Sequence, residues 1–212
     1  LWTLLFGFLF YIPVWGQPFI SQQFGYENGL SNNYVNSIAQ DKQGFLWFAT
    51  EDGLNRFDGH QFKNYYKTDK DLLSITGNEL NCVLDDSTDP ILWIGTQRAG
   101  LNCYNYKNNT FTVFRHTDSP DSVATNDITS MKVAKDGNLW ICTFLKGVDL
   151  YMKSQNIFVH FNKSTVPGFP SNHVWTVLDN GGGILILGQQ DKGLTVLDTK
   201  TKQWKNYMHN SV

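Results

Sequence analysis

Histidines, cysteines and clustered charges are where chemistry would begin in this 212-residue chain, and their spacing excludes most of it. His60, His116, His160, His173 and His209 are scattered, and none joins a Glu or a second His at metal-ligand spacing. Cys82, Cys103 and Cys142 form no CxxC pair, which argues for buried free thiols over a bridge, a metal site or a redox centre. No cofactor is implied. With 17 Lys and Arg against 19 Asp and Glu, the net charge is -2, and the basic cluster that nucleic-acid binding requires is missing. The residues left to serve a ligand are Glu51, Asp52, Arg98 and Lys146, whose meaning depends on the frame that holds them.

That frame repeats. Gly44-Phe45-Leu46-Trp47-Phe48-Ala49-Thr50, Ile91-Leu92-Trp93-Ile94-Gly95-Thr96, Gly137-Asn138-Leu139-Trp140-Ile141-Cys142-Thr143 and the degraded Gly183-Ile184-Leu185-Ile186-Leu187-Gly188 place Trp47, Trp93, Trp140 and Ile186 at intervals of 46, 47 and 46 residues. An Asn opens each copy (Asn33, Asn78, Asn126, Asn172), followed by a first apolar run, Val35 to Ala39, Leu80 to Leu84, Ile128 to Val133 and Val174 to Leu178. The tryptophan run is the second. A glycine (Gly53, Gly100, Gly147, Gly193) introduces a third, and an aromatic pair marks a fourth: Phe62/Tyr65, Phe111/Phe114, Phe158/Phe161, Trp204/Tyr207. Short runs rich in Val, Ile, Phe, Tyr and Trp, without a sustained helical period, predict strands. Four strands at this period predict an all-β propeller with four four-stranded antiparallel blades, about 30–66, 75–116, 123–161 and 169–207. A blade with two apolar faces must stack on its neighbours, so the three tryptophans are expected between blades and not on a sugar.

Between the tryptophan strand and the glycine the frame is kept while the residues change: Glu51-Asp52, Gln97-Arg98-Ala99, Phe144-Leu145-Lys146, Gln189-Gln190-Asp191-Lys192. Positions that vary inside a repeated frame are free of structural duty, and loops on a rigid scaffold are where binding lies. Strand alternation puts these loops on the same face of the disc as the four asparagines. Glu51, Asp52, Arg98 and Lys146 are therefore the expected polar contacts to a ligand.

The ends read differently. Residues 1–16 are almost wholly apolar, hold Pro13 and finish Val14-Trp15-Gly16, as expected for part of a secretory signal with Gln17 as the mature start. The run is shorter than the roughly 20 residues a membrane helix needs. Aromatics at 15% and charges at 17% suit an extracytoplasmic stack of sheets. Residues 19–26 place Phe24 nine residues before Asn33, much as Tyr65, Phe114 and Phe161 stand 13, 12 and 11 before Asn78, Asn126 and Asn172. They are expected to be a closing outer strand whose three partners lie past Val212. The reading is an incomplete ring with apolar faces exposed on the first and fourth blades.

The stretch from Asn28-Gly29-Leu30-Ser31 through Asp41-Lys42-Gln43-Gly44-Phe45-Leu46-Trp47 to Asp52-Gly53-Leu54 and Asp58-Gly59 resembles the opening of the two-component-regulator propeller family. This is the periplasmic sensor region of hybrid histidine kinases in gut Bacteroidetes, and the resemblance runs over residues 17–212. It implies two seven-bladed propellers followed by a small sheet domain, a membrane helix, a histidine kinase and a response regulator. It further implies a glycan-derived ligand, a tethered periplasmic location, control of polysaccharide-utilisation genes and a parent able to form a homodimer. Kinase activity would belong to the parent, so no enzyme is expected in this segment. The fourth repeat departs from the pattern, with Gly181-Gly182-Gly183 and Ile186 replacing Asp-Gly and Trp.

Other propellers set the alternatives. A secreted carbohydrate-binding or scaffold propeller would carry the same blades. Lys135-Asp136-Gly137-Asn138-Leu139-Trp140 is similar to the blades of streptogramin-lyase-like enzymes, and Asp41 to Trp47 partly resembles a sialidase Asp-box, with two residues between Asp and Gly instead of one. A lyase or sialidase ends when its ring closes, whereas a sensor continues to a membrane helix.

Overall fold

The computed structural model describes residues 21–68, 74–86 and 88–208; the expected signal at 1–16 lies outside them. Four antiparallel four-stranded sheets follow one another along the chain, each in simple sequence order. The first comprises β1 (Val35–Gln40), β2 (Leu46–Thr50), β3 (Gly53–Phe57) and β4 (Phe62–Tyr65); the second β5 (Leu80–Asp85), β6 (Ile91–Thr96), β7 (Leu101–Asn105) and β8 (Thr110–Phe114). The third is β9 (Ile128–Val133), β10 (Leu139–Thr143), β11 (Gly147–Met152) and β12 (Ile157–Phe161), and the fourth β13 (Val174–Gly181), β14 (Ile184–Gln189), β15 (Gly193–Asp198) and β16 (Trp204–Tyr207). The fourth sheet forms despite its glycine run. Its β13–β14 turn uses Gly181, Gly182 and Gly183 at φ of 84°, 68° and 95°, which side-chain-bearing residues rarely adopt.

Apolar side chains fill the wedges between blades. Trp47, Ala49 and Leu54 pack on Leu80, Val83, Leu92, Ile94 and Tyr104 of the second blade. Trp93 and Leu101 pack on Ile128, Met131, Leu139 and Tyr151 of the third, and Trp140, Cys142 and Val148 on Val174, Val177, Leu185 and Leu187 of the fourth. The tryptophans thus lie in the core between blades, as expected, and the three cysteines are free thiols. Burial pushes the Cys82 thiol up to about 12.

The outermost faces break this pattern at matching positions. Leu194 is 42% exposed where Leu54, Leu101 and Val148 are 0%. Ile38 is 60% exposed where Val83, Met131 and Val177 are at most 8%. The four sheets form an open arc with apolar surface at both ends, as the sequence predicts.

Neighbouring blades are also clamped through their opening asparagines. Gly53, Gly100 and Gly147 each donate a backbone N–H to the carbonyl of Asn78, Asn126 or Asn172 in the following blade. The Oδ1 of the same asparagine accepts from the residue just past the preceding outer strand: Lys67, His116 and Lys163. Tyr26 makes this bond to Asn33 at 2.8 Å, and Phe24 lies against Phe57 and Phe62 with centroids 5.0 and 6.1 Å away. Tyr65 sits in the same way on Tyr104 and Phe111. Phe24 and Tyr26 thus make on the first blade the contacts that Tyr65 and Lys67 make on the second. Residues 21–25 make no ladder and Tyr26–Asn28 is a turn of 3-10 helix; the rest of the expected strand, 19–20, lies outside the described residues.

Candidate functional site

Each innermost strand carries a β-bulge next to its first residue, leaving Asn36, Asn81 and Trp175 unpaired in the ladder, and β9 shifts register at the matching place. A bulge re-aims the side chain it frees. Three of these side chains reach across to the following blade: Asn36 Nδ2 donates to Leu80 O, Asn81 Nδ2 to Ile128 O, and Thr129 Oγ1 to Val174 O, at 3.0, 2.9 and 2.9 Å. The fourth does not. Trp175 is 47% exposed and its Nε1 donates to Gln190 Oε1 of its own blade at 3.3 Å.

Trp175 is part of an aromatic cluster. Phe144, in the β10–β11 loop, lies 6.2 Å from it and stacks on His173 at 6.4 Å with 21° between ring planes. Phe144 is held by its backbone N–H to Asp127 O, as Gln190 is to His173 O, so the two loops stand beside the strand entries. The Phe144 position is polar in the other copies, where Glu51, Gln97 and Gln190 stand, while the His173 position holds Tyr34, Glu79 and Asp127. The exposed faces of Phe144 and Trp175 form an apolar platform rimmed by Gln190, the composition that suits a ligand with both apolar and hydroxyl surfaces.

The four charged residues singled out from the sequence share this loop face but not a site. No hydrogen bond or ion pair among the described residues links any two of them. Asp52 Oδ1 accepts from Asn78 Nδ2 at 3.0 Å, so it braces the next blade. Arg98 pairs with Glu79 at 2.8 Å, a hydrogen bond that holds its guanidinium above the usual range. Glu51 is exposed, with its backbone N–H on Tyr34 O. Lys146 borders a cleft of about 280 Å³ with His116, Pro120 and His160, and follows Phe144 by two residues. Sequence reading missed Phe144, His173 and Trp175 because it weighed charge in one loop; the legible signal was an aromatic, Phe144 and Trp175, at two frame positions that are polar in the other copies.

The model of the family "two component regulator propeller" matches residues 29–52 and 122–144, each running from the linker through the inner and tryptophan strands to the loop beyond. These are two-component regulator propeller repeats. The propeller is 47% identical to the extracellular domain assigned to a hybrid two-component system of B. thetaiotaomicron, at a TM-score of 0.85, covering 89% of this chain and 26% of that one. A histidine kinase of Formosa agariphila is 43% identical over 75 residues, 35% of this chain and 6% of its own length. PorZ, a surface component of the type-IX secretion system of Porphyromonas gingivalis, shares the fold at 13% identity and a TM-score of 0.65, covering 89% of this chain and 30% of its own. The propeller thus spans about a quarter of the first of these relatives and a small part of the kinase. Among the described residues no helix is long and apolar enough to cross a membrane.

Proposed function

We propose that these blades belong to the periplasmic ligand-sensing propeller of a hybrid two-component sensor, which recognises a glycan-derived oligosaccharide and controls polysaccharide-utilisation genes. The observation that carries the reading is the Phe144–His173–Trp175 platform, in which exposed Trp175 stands where Asn36, Asn81 and Thr129 bridge to the following blade. Sugar rings present an apolar face to such aromatics and hydroxyls to neighbours such as Gln190, with Lys146 and Arg98 within the same loop layer. Binding without turnover is the chemistry this arrangement serves, and a kinase in the parent protein would read it out. The matching exposures of Leu194 and Ile38, and the docked Phe24, support further blades that cover both ends and a segment at 19–26 that closes the ring.

Calorimetric titration of the parent ectodomain against defined oligosaccharides from pectin, mannan and xylan tests this. One of them binds, and Trp175→Ala weakens it about tenfold, in line with the loss of one stacked aromatic. Binding that is unchanged by both Trp175→Ala and Phe144→Ala removes the ligand from this platform.

A further inference from the structure

The opposite face of the disc carries the β-turns that enter the tryptophan strands. In the first two blades that turn supplies a carboxylate to the tryptophan: Trp47 Nε1 donates to Asp41 Oδ2 at 2.7 Å, and Trp93 Nε1 to Asp86 Oδ2 at 2.8 Å. Asp86 Oδ2 also accepts from Lys153 Nζ, which comes from the turn after β11 of the following blade, at 2.8 Å. In the third blade the residue at the place of Asp41 and Asp86 is Ala134, as its backbone N–H to Asn138 O shows. Trp140 is kept, 4% exposed, and its buried Nε1 has no hydrogen-bond partner. The basic residue is kept too. The turn after β15 brings Lys200, one residue beyond the position of Lys153, to the same cleft, and Lys200 makes no ion pair among the described residues.

A cleft of about 310 Å³ joins these groups, lined by Ala134, Trp140, Lys135, Lys200 and the glycine run. Two acids share it, and both are engaged: Asp179 accepts from Gly181 N, and Asp136 from Asn138 N and Nδ2. Lys135 and Lys200 lie over Gly181 and Gly183, where any added Cβ would meet them at 2.6 and 3.2 Å. Glycine thus keeps the floor open beneath two flexible cations.

We propose that this cleft binds the carboxylate of a small carboxylated ligand, which takes the place that Asp86 fills one blade earlier. The ligand oxygen accepts from Trp140 Nε1 and pairs with Lys200 Nζ, with Lys135 at the rim. The indole nitrogen is closed to solvent, so binding requires the side chains lining the cleft to shift and uncover it. A neutral sugar offers the same hydroxyls without the charge that both cations require. The site lies on the face away from the aromatic platform and stands independently of it.

The test follows the Trp140 indole resonance in ¹H–¹⁵N spectra of the full chain, assigned with Trp140→Phe, during titration with sodium glucuronate. Acetate serves as the bare carboxylate and glucose as the neutral control. Glucuronate and acetate move the resonance downfield and saturate; glucose leaves it in place. Lys200→Met, an exposed change that keeps the fold, weakens the response about tenfold by removing one charge-assisted bond. Ala134→Asp shifts the resonance without ligand and abolishes the response. The proposal is overturned if neither carboxylate moves the resonance, if glucose moves it equally, or if Lys200→Met titrates like the parent.

Discussion

Two neighbouring interfaces of the same frame, second blade on third and third on fourth, solve one polar problem differently. At the first, Asp86 is fully buried and bonds Trp93, Lys153 and Thr88, while Lys153 reaches on to Asp89 at 2.7 Å. At the second, Ala134 withdraws the carboxylate while Trp140 and a lysine remain. Apolar packing is equivalent across both, with Leu101 and Val148 each fully buried. The wedge therefore holds without the acid, and the acid is an addition to a core that stands on burial alone.

The sharpest way to break this comparison is Asp86→Ala. It leaves Lys153 and Trp93 without their shared acceptor and should cost roughly 3 kcal/mol in urea unfolding. A loss below about 1 kcal/mol would make the two interfaces equivalent and the acid idle. Its pH dependence has a definite sign. Burial raises the Asp86 pKa, but bonds from Lys153, Trp93 and Thr88 outweigh it and hold the group at about 2, below the ordinary 3.8. The stabilisation is present above pH 4 and drains away as pH falls towards 2, a slope absent from Asp86→Ala.

Ala134→Asp is the converse and smaller experiment. It should raise stability by about 1 kcal/mol by satisfying the Trp140 indole, measured by the same unfolding curve. A clear loss instead would mean that the cleft cannot place a carboxylate as the second blade does.

The smallest expected effect concerns the third blade's linker. Asn55 and Asn102 cap the linkers of the first two blades as neutral acceptors; in the third, buried Asp149 does so at Ala124 N and needs His160 at 2.7 Å. The bond that His160 Nδ1 makes to the Asp149 carboxylate raises the His160 pKa above 6.5, against the opposing effect of burial. A raised histidine stabilises fully below pH 6.5, and that contribution is lost as pH climbs through the folded value. Unfolding midpoints compared between pH 6 and pH 9 should fall more in the parent chain than in His160→Gln.

The fold was legible because repetition multiplies weak signals: Trp47, Trp93 and Trp140 in phase, with Gly53, Gly100 and Gly147 behind them, leave little freedom in strand assignment. Gly100 shows why the glycine recurs, since a Cβ there would stand 2.5 Å from Phe114 O. The platform was harder to see. Phe144, His173 and Trp175 come from a loop, a linker and a bulge in two different blades, and the extra residue in the bulge turns Trp175 out of the ladder. The gap at Ala134 was visible in the repeat, but its meaning depends on Lys200, which arrives from another sheet.

The bulge has a wider consequence for how such a ring changes over time. Because residues 36, 81 and 175 stand outside the ladder's register, a side chain there can be exchanged without sliding a strand by one and turning its core face to water. Each blade thus offers a socket whose insert is replaceable while the wheel around it keeps its gauge. Trp175 fills that socket in the fourth blade, where Asn36 and Asn81 fill it in the first and second with a bond to the next blade.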